Sequence, residues 1–165
     1  ITLLVAGFLW LNNYIYNQKQ GDSGFQPSYK NATYMIEGKS IKLVNGYSEM
    51  ESAQGSVSKI ITQYFGNEST GDLDGDGISD VAFLITQESG GSGTFYYLVA
   101  AIKKDSGYQG TNAVFIGDRI APQTSGITDG VIVVNYADRN ADEPMTTRPS
   151  FVVSKYFKME NGVLT

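Results

Sequence analysis

Residues 71–86 read GDLDGDGISDVAFLIT, an acidic loop punctuated by glycine that runs straight into an apolar stretch. What the stretch becomes decides the fold. DVAFLIT is short, carries β-branched and aromatic side chains and follows turn residues, so it reads as a strand where a helix would follow an EF-hand loop. Similar runs flank it: ATYMIE (32–37), KSIKLVNG (39–46), SVSKIITQYF (56–65), TFYYLVAAIK (94–103), TNAVFIG (111–117), GVIVVNYA (130–137) and SFVVSKYFKM (150–159). Ile41 and Leu43 are placed to share a face. Val57, Ile60, Ile61 and Tyr64 also fit one face of a helix, but the β-branched content of that segment favours strand. The linkers QESGGSGT, KDSGYQG and SGITDGV are turn chemistry, and Asp129 with Gly130 can supply the positive φ of a tight hairpin. SGGSG (89–93) lacks the lysine and helix of a phosphate-binding loop and reads as a hairpin loop. Eight short strands with no fixed repeat predict a mainly β fold, an antiparallel sandwich or barrel-like domain over residues 32–165.

The 165 residues suffice for one domain with its own core. Nineteen glycines and eleven tyrosines against four prolines suit strands joined by tight turns. A net charge of −5 with no basic cluster argues against nucleic acid as a partner. The chain has no cysteine and no histidine, which removes thiol catalysis, the Ser-His-Asp triad, the usual zinc ligand sets and disulfides. Without those residue types no enzymatic activity is expected.

The N-terminus, ITLLVAGFLWLNNYIYNQKQGD, is apolar on all sides over residues 1–11. A helix of that kind needs lipid or a deep core around it. Trp10, Tyr14 and Tyr16 follow, then Lys19, the order in which a membrane span leaves through an aromatic belt. The apolar run is shorter than the roughly 20 residues that cross a bilayer. The expectation is therefore an apolar helix over 1–18, the end of a span continuing upstream, with the domain on the extracytoplasmic side of a bacterial envelope. A signal-peptide core is the other reading, but no small-residue cleavage site follows Leu11. Residues 19–31 hold glycine, serine, proline and amides without apolar periodicity and read as a spacer.

Asp72, Asp74, Asp76 and Asp80 occupy positions 1, 3, 5 and 9 of the loop 72–80, with Gly77 at 6 and Ile78 at 7. Ca²⁺ takes six to eight hard oxygens at about 2.3 to 2.6 Å, and alternating short carboxylates on a turning loop can converge on one ion. Position 7 would add its backbone carbonyl, leaving the Ile78 side chain to turn into the core. Position 12 is Phe83 where an EF-hand has glutamate, so Asp80 must close the shell. The predicted ligands are Asp72, Asp74, Asp76, Ile78 and Asp80, and the ion is Ca²⁺ rather than Mg²⁺, which demands stricter octahedral geometry.

The pattern DxDxDGxxD leading into a strand resembles the calcium loops of FG-GAP and thrombospondin type 3 repeats. More widely, YFGNESTGDLDGDGISDVAFLITQESGGSGTFYYLVAAI, GTNAVFIGDRIAPQT, DGVIVVNYADR and EPMTTRPS resemble a recurrent bacterial envelope domain carried on lipoproteins and single-span proteins. GDR followed by DGVIVVNY is similar to the LppP/LprE lipoprotein family, although Thr146 and Thr147 stand where cysteines are often found there. The resemblance implies an exported, membrane-tethered β domain without catalysis.

Asp118 with Arg119 and Asp138 with Arg139 read as pairs that pin strand ends rather than as a binding constellation. Glu68 with Asp118 or Asp138 would suit glycoside hydrolysis only across a cleft at a fixed separation. The NAT and NES triplets at Asn31 and Asn67 are short enough to occur by chance. The leading expectation is a calcium-binding, membrane-anchored envelope module with a structural, adhesive or interaction role, its partner a protein or a further copy of itself. A pilin-like filament subunit, its apolar helix in the fibre core, is the alternative. Val5, where type IV pilins usually carry glutamate, and the interruption at Asn12 and Asn13 speak against it. A hydrolase using carboxylates alone is the third.

Overall fold

The computed structural model describes residues 28–165. The apolar helix expected over 1–18, its aromatic belt and most of the spacer lie outside these residues. Among the described residues no helix is long and apolar enough to cross a membrane. Twelve strands follow a single 3-10 turn, Tyr29–Asn31: β1 Thr33–Ile36, β2 Lys39–Lys42, β3 Tyr47–Glu51, β4 Lys59–Gly71, β5 Asp80–Glu88, β6 Phe95–Lys104, β7 Gly107–Gly110, β8 Val114–Asp118, β9 Ala121–Thr128, β10 Val131–Asp138, β11 Phe151–Glu160 and β12 Val163–Leu164.

These strands form three antiparallel layers. The middle layer is a six-stranded sheet in the order β3-β4-β5-β6-β7, with β8 also paired to β6. Residues Ala101 to Lys104 of β6 pair with β7, and Phe95 to Leu98 with β8, so the two short strands share one edge of β6 end to end. A four-stranded sheet, β12-β11-β10-β9, packs on one face, and the β1–β2 hairpin covers part of the other. The arrangement is a sandwich with an extra hairpin layer, and among the described residues no sheet closes into a barrel.

The alternation of side chains along β5 and β6 explains the layering. Ala82, Leu84, Leu98, Ala100 and Ile102 point at the four-stranded sheet, where Ile132, Val134, Tyr136, Phe157 and Leu164 meet them. Val81, Phe83, Ile85, Tyr97, Val99 and Ala101 point the other way, under Tyr34, Ile36, Ile41 and Leu43 of the hairpin. A strand covered on both faces needs no polar side, which is why DVAFLI runs without alternation. Each of these fully buried Leu, Ile, Val and Phe side chains contributes on the order of 1.5 to 3 kcal/mol, so β5 and β6 hold much of the stability.

The segment SVSKIITQYF does enter a strand, β4, and Ile41 and Leu43 are both buried on the hairpin. Val57, included in the possible helical face, is instead 97% exposed and precedes β4. The strand count of eight is corrected to twelve, because β3, β7, β9 and β12 sit in segments that read as turns or tails. Asn45 with Gly46 and Asn161 with Gly162 have φ of 51° and 79°, and 51° and 80°, as do Asp129 and Gly130 at 50° and 73°. Paired left-handed residues make the tight hairpin turns that launch β3, β12 and β10. The packed unit also reaches back into the segment read as spacer. Tyr29 lies 5.3 Å from the Phe83 ring, and the Tyr34 hydroxyl donates to the Tyr29 carbonyl at 2.7 Å.

Candidate metal centre

The acidic loop joins β4 to β5 and is built by its own aspartates. Asp72 accepts from Gly75 N through Oδ1 (2.7 Å) and from Gly77 N through Oδ2 (2.8 Å), so one carboxylate holds two turn amides. Asp74 Oδ1 accepts from Asp76 N at 3.3 Å, and Asp76 Oδ1 from Ile78 N at 2.7 Å. Each aspartate thus engages an amide two or more residues ahead, the local bonding that makes this residue a turn former. Gly75 and Gly77 take φ of 82° and 81°, a conformation that side chains disfavour. Below the loop, Leu73 is buried in the core between the two sheets. Gly71 permits the close approach of the β9–β10 hairpin, since a Cβ there would come within 2.5 Å of Ile127 Cγ2.

Asp80 opens β5 and is completely buried. Its Oδ2 accepts from Leu73 N at 2.9 Å and its Oδ1 from Lys103 N at 2.8 Å. These charge-assisted bonds tie the start of the loop and the end of β6 to one carboxylate.

Three of the expected ligands converge. Asp72, Asp74 and Asp80 each present a carboxylate oxygen, and these oxygens lie within 4.8 Å of one another. Two oxygens on opposite sides of one Ca²⁺ are separated by about twice the bond length, roughly 5 Å, so the triad fits around a single divalent cation. Asp76 is not part of this set. The Ile78 side chain does not turn into the core as expected; it is 48% exposed. Phe83, at the position of the EF-hand glutamate, is fully buried under the hairpin, so the missing ligand is a core residue.

A basic group that spacing alone did not reveal enters from β6. Lys104 Nζ sits 2.6 Å from Asp74 Oδ2 and 4.0 Å from Asp76 Oδ2. Its hydrogen bond holds the Asp74 carboxyl below its ordinary value and raises the lysine in return. The ammonium offsets part of the repulsion among the aspartates, and a cation at the triad would compete with it for Asp74. Beside the loop, a cleft of about 620 Å³ is bounded by Asp72, Gly75, Asp129, Gly130 and Lys158.

The other polar residues serve as ties. Arg119 chelates its neighbour Asp118, with Nη2 donating to Oδ2 at 2.8 Å, and Asp118 also accepts from Thr94 N. Arg139 Nη1 donates to the Arg119 carbonyl at 3.0 Å, which joins the ends of β8 and β10. Glu68 accepts hydroxyl bonds from Tyr29 and Tyr64, with Lys30 Nζ at 3.6 Å. Asp138 accepts from Arg139 N, so Glu68, Asp118 and Asp138 are each engaged in a structural hydrogen bond.

No protein family, curated protein or solved structure matches this chain. The chemistry of the loop therefore carries the functional reading.

Proposed function

We propose that this chain is a calcium-stabilised β module without enzymatic activity, tethered to a bacterial membrane and facing out of the cytoplasm, with a structural, adhesive or interaction role in the envelope. The observation that carries the metal is the convergence of Asp72, Asp74 and Asp80 within 4.8 Å, on a loop whose carboxylates are already oriented by backbone amides. Preoriented hard oxygens of like charge favour a divalent cation, and Ca²⁺ tolerates the irregular shell such a loop offers better than Mg²⁺ does. In this reading Asp72 and Asp74 supply the exposed side of the shell and Asp80 its floor, with water completing the coordination. The ion contributes charge neutralisation and fastens the loop to β5. Tethering is supported by the apolar run at residues 1–11 with its following aromatic residues, and by the resemblance to envelope domains.

Calorimetry and thermal melting test the metal. Ca²⁺ at a hundred times its dissociation constant would stabilise by about 2.7 kcal/mol, a rise in Tm of roughly 5 to 10 °C for a domain of this size. Asp72→Ala should abolish that rise, and Mg²⁺ at equal concentration should reproduce little of it. Identical melting with calcium and with chelator, together with no binding heat at millimolar calcium, would overturn the metal reading. Protease added to intact spheroplasts tests the location, and protection of the domain until lysis would place it inside.

A further inference from the structure

The β1–β2 hairpin is shorter than the sheet it covers. Its strands are four residues each, against nine in β5 and ten in β6. Where the hairpin turns, at Glu37 and Gly38, the middle sheet continues uncovered, and a groove of about 380 Å³ opens on that face. Its lining combines Phe95, Tyr97 and Phe115 with Ile60, the polar Gln87 and Ser89, and Glu37 of the turn. The groove lies away from the acidic loop and shares no lining residue with the cleft there.

Three features define its chemistry. The rings form a tilted corner: Phe115 stands 5.5 Å from Tyr97 at 62° and 6.4 Å from Phe95 at 50°. Phe115 is half exposed although it is aromatic, and Tyr97 and Phe115 are direct cross-strand partners, so the corner is built on two paired strands. Glu37 is held at the rim in a left-handed conformation, φ 48°, and accepts the Tyr97 hydroxyl at 2.7 Å through Oε1. No lysine or arginine lines the groove among the described residues. Aromatic faces carry negative quadrupole potential, and a carboxylate beside them adds a full negative charge. Aromatic surface beside a carboxylate, with no resident cation, is the chemistry that favours a bulky organic cation over an anionic ligand.

We propose that this groove is a binding site for a quaternary or methylated ammonium group, with the half-exposed Phe115 and the partly buried Phe95 as the aromatic walls, Tyr97, 3% exposed, beneath them as the floor, and Glu37 as the counter-charge. Its volume suits a small headgroup or one modified side chain rather than an extended polymer.

The test is a titration of the isotope-labelled full chain by NMR, using choline and its uncharged isostere 3,3-dimethyl-1-butanol as probes. Choline should shift resonances of Phe95, Tyr97 and Phe115 and bind about tenfold more tightly than the isostere, as cation–π contact with added charge attraction implies. Glu37→Gln should weaken choline several-fold and leave the isostere unchanged. Equal binding of the two probes would mean a merely apolar groove and overturn the proposal, as would tighter binding of methyl glucoside at the same residues. Absence of shifts at these positions with 100-fold excess choline would overturn it as well. The comparison of probes is made on the unaltered chain, so it stands even if a variant fails to fold.

Discussion

Asp80 is fully buried, yet among the described residues the hydrogen bonds it accepts come from backbone amides, those of Leu73 and Lys103. A carboxylate accepts on both oxygens, whereas an amide side chain would turn a donor toward one of those N–H groups. Asp80→Asn should therefore cost about 2 to 3 kcal/mol whether or not calcium is present, visible as a lower melting temperature even in chelator. Asp72→Ala should act differently, because the groups it frees, Gly75 N and Gly77 N, lie on an exposed turn where water can replace it. Its loss should be small in chelator and large with calcium. Lys104 offers the opposite sign. Lys104→Met removes the ammonium that stands on Asp74, so the metal-free protein should melt lower while the calcium affinity measured by calorimetry rises several-fold. Unchanged affinity in that variant would show that Lys104 and the ion do not compete.

At the scale of elements, the 3-10 turn and β4 are bound together through Glu68. Burial pushes the Glu68 carboxyl up, but the hydroxyls of Tyr29 and Tyr64 and the charge of Lys30 outweigh it and leave it below its ordinary 4.5. A folded value below the unfolded one stabilises above pH 4.5, and that stabilisation is lost as pH falls through the folded value. The melting-temperature gap between the unaltered chain and Glu68→Gln should thus be widest near pH 6 and narrow toward pH 3. The tyrosines answer in the other direction, with the Tyr64 hydroxyl pushed up to about 12 by burial and by Glu68. Elements of this kind, joined by side chains 39 residues apart, leave no trace in local sequence pattern. The same holds for β9, where Pro122 and the Ser125 and Gly126 pair read as loop. β9 is the outer strand of its sheet, and an edge tolerates proline and glycine that an interior strand would not.

The whole molecule was legible where its signals were local. DVAFLIT announces a strand, Asp129 with Gly130 announces a hairpin, and the aspartate spacing announces a tight, acid-lined turn, all within a few residues, whereas the cover on both faces of that strand comes from elements far along the chain. The third layer was not legible, because TYMI and KSIK look alike whether they join a sheet or lie across one. Nor was Lys104, which reaches the loop from a strand 30 residues on. That distance in sequence has a kinetic corollary. The amides of Leu73 and Lys103 rest on the two oxygens of one buried side chain, so a motion that draws Asp80 out of its place releases both. Their protons should exchange with deuterated water through a common opening, with the same free energy and the same dependence on denaturant, and both should slow together when calcium is added. Exchange of the two at unrelated rates would mean that the loop and the end of β6 breathe separately.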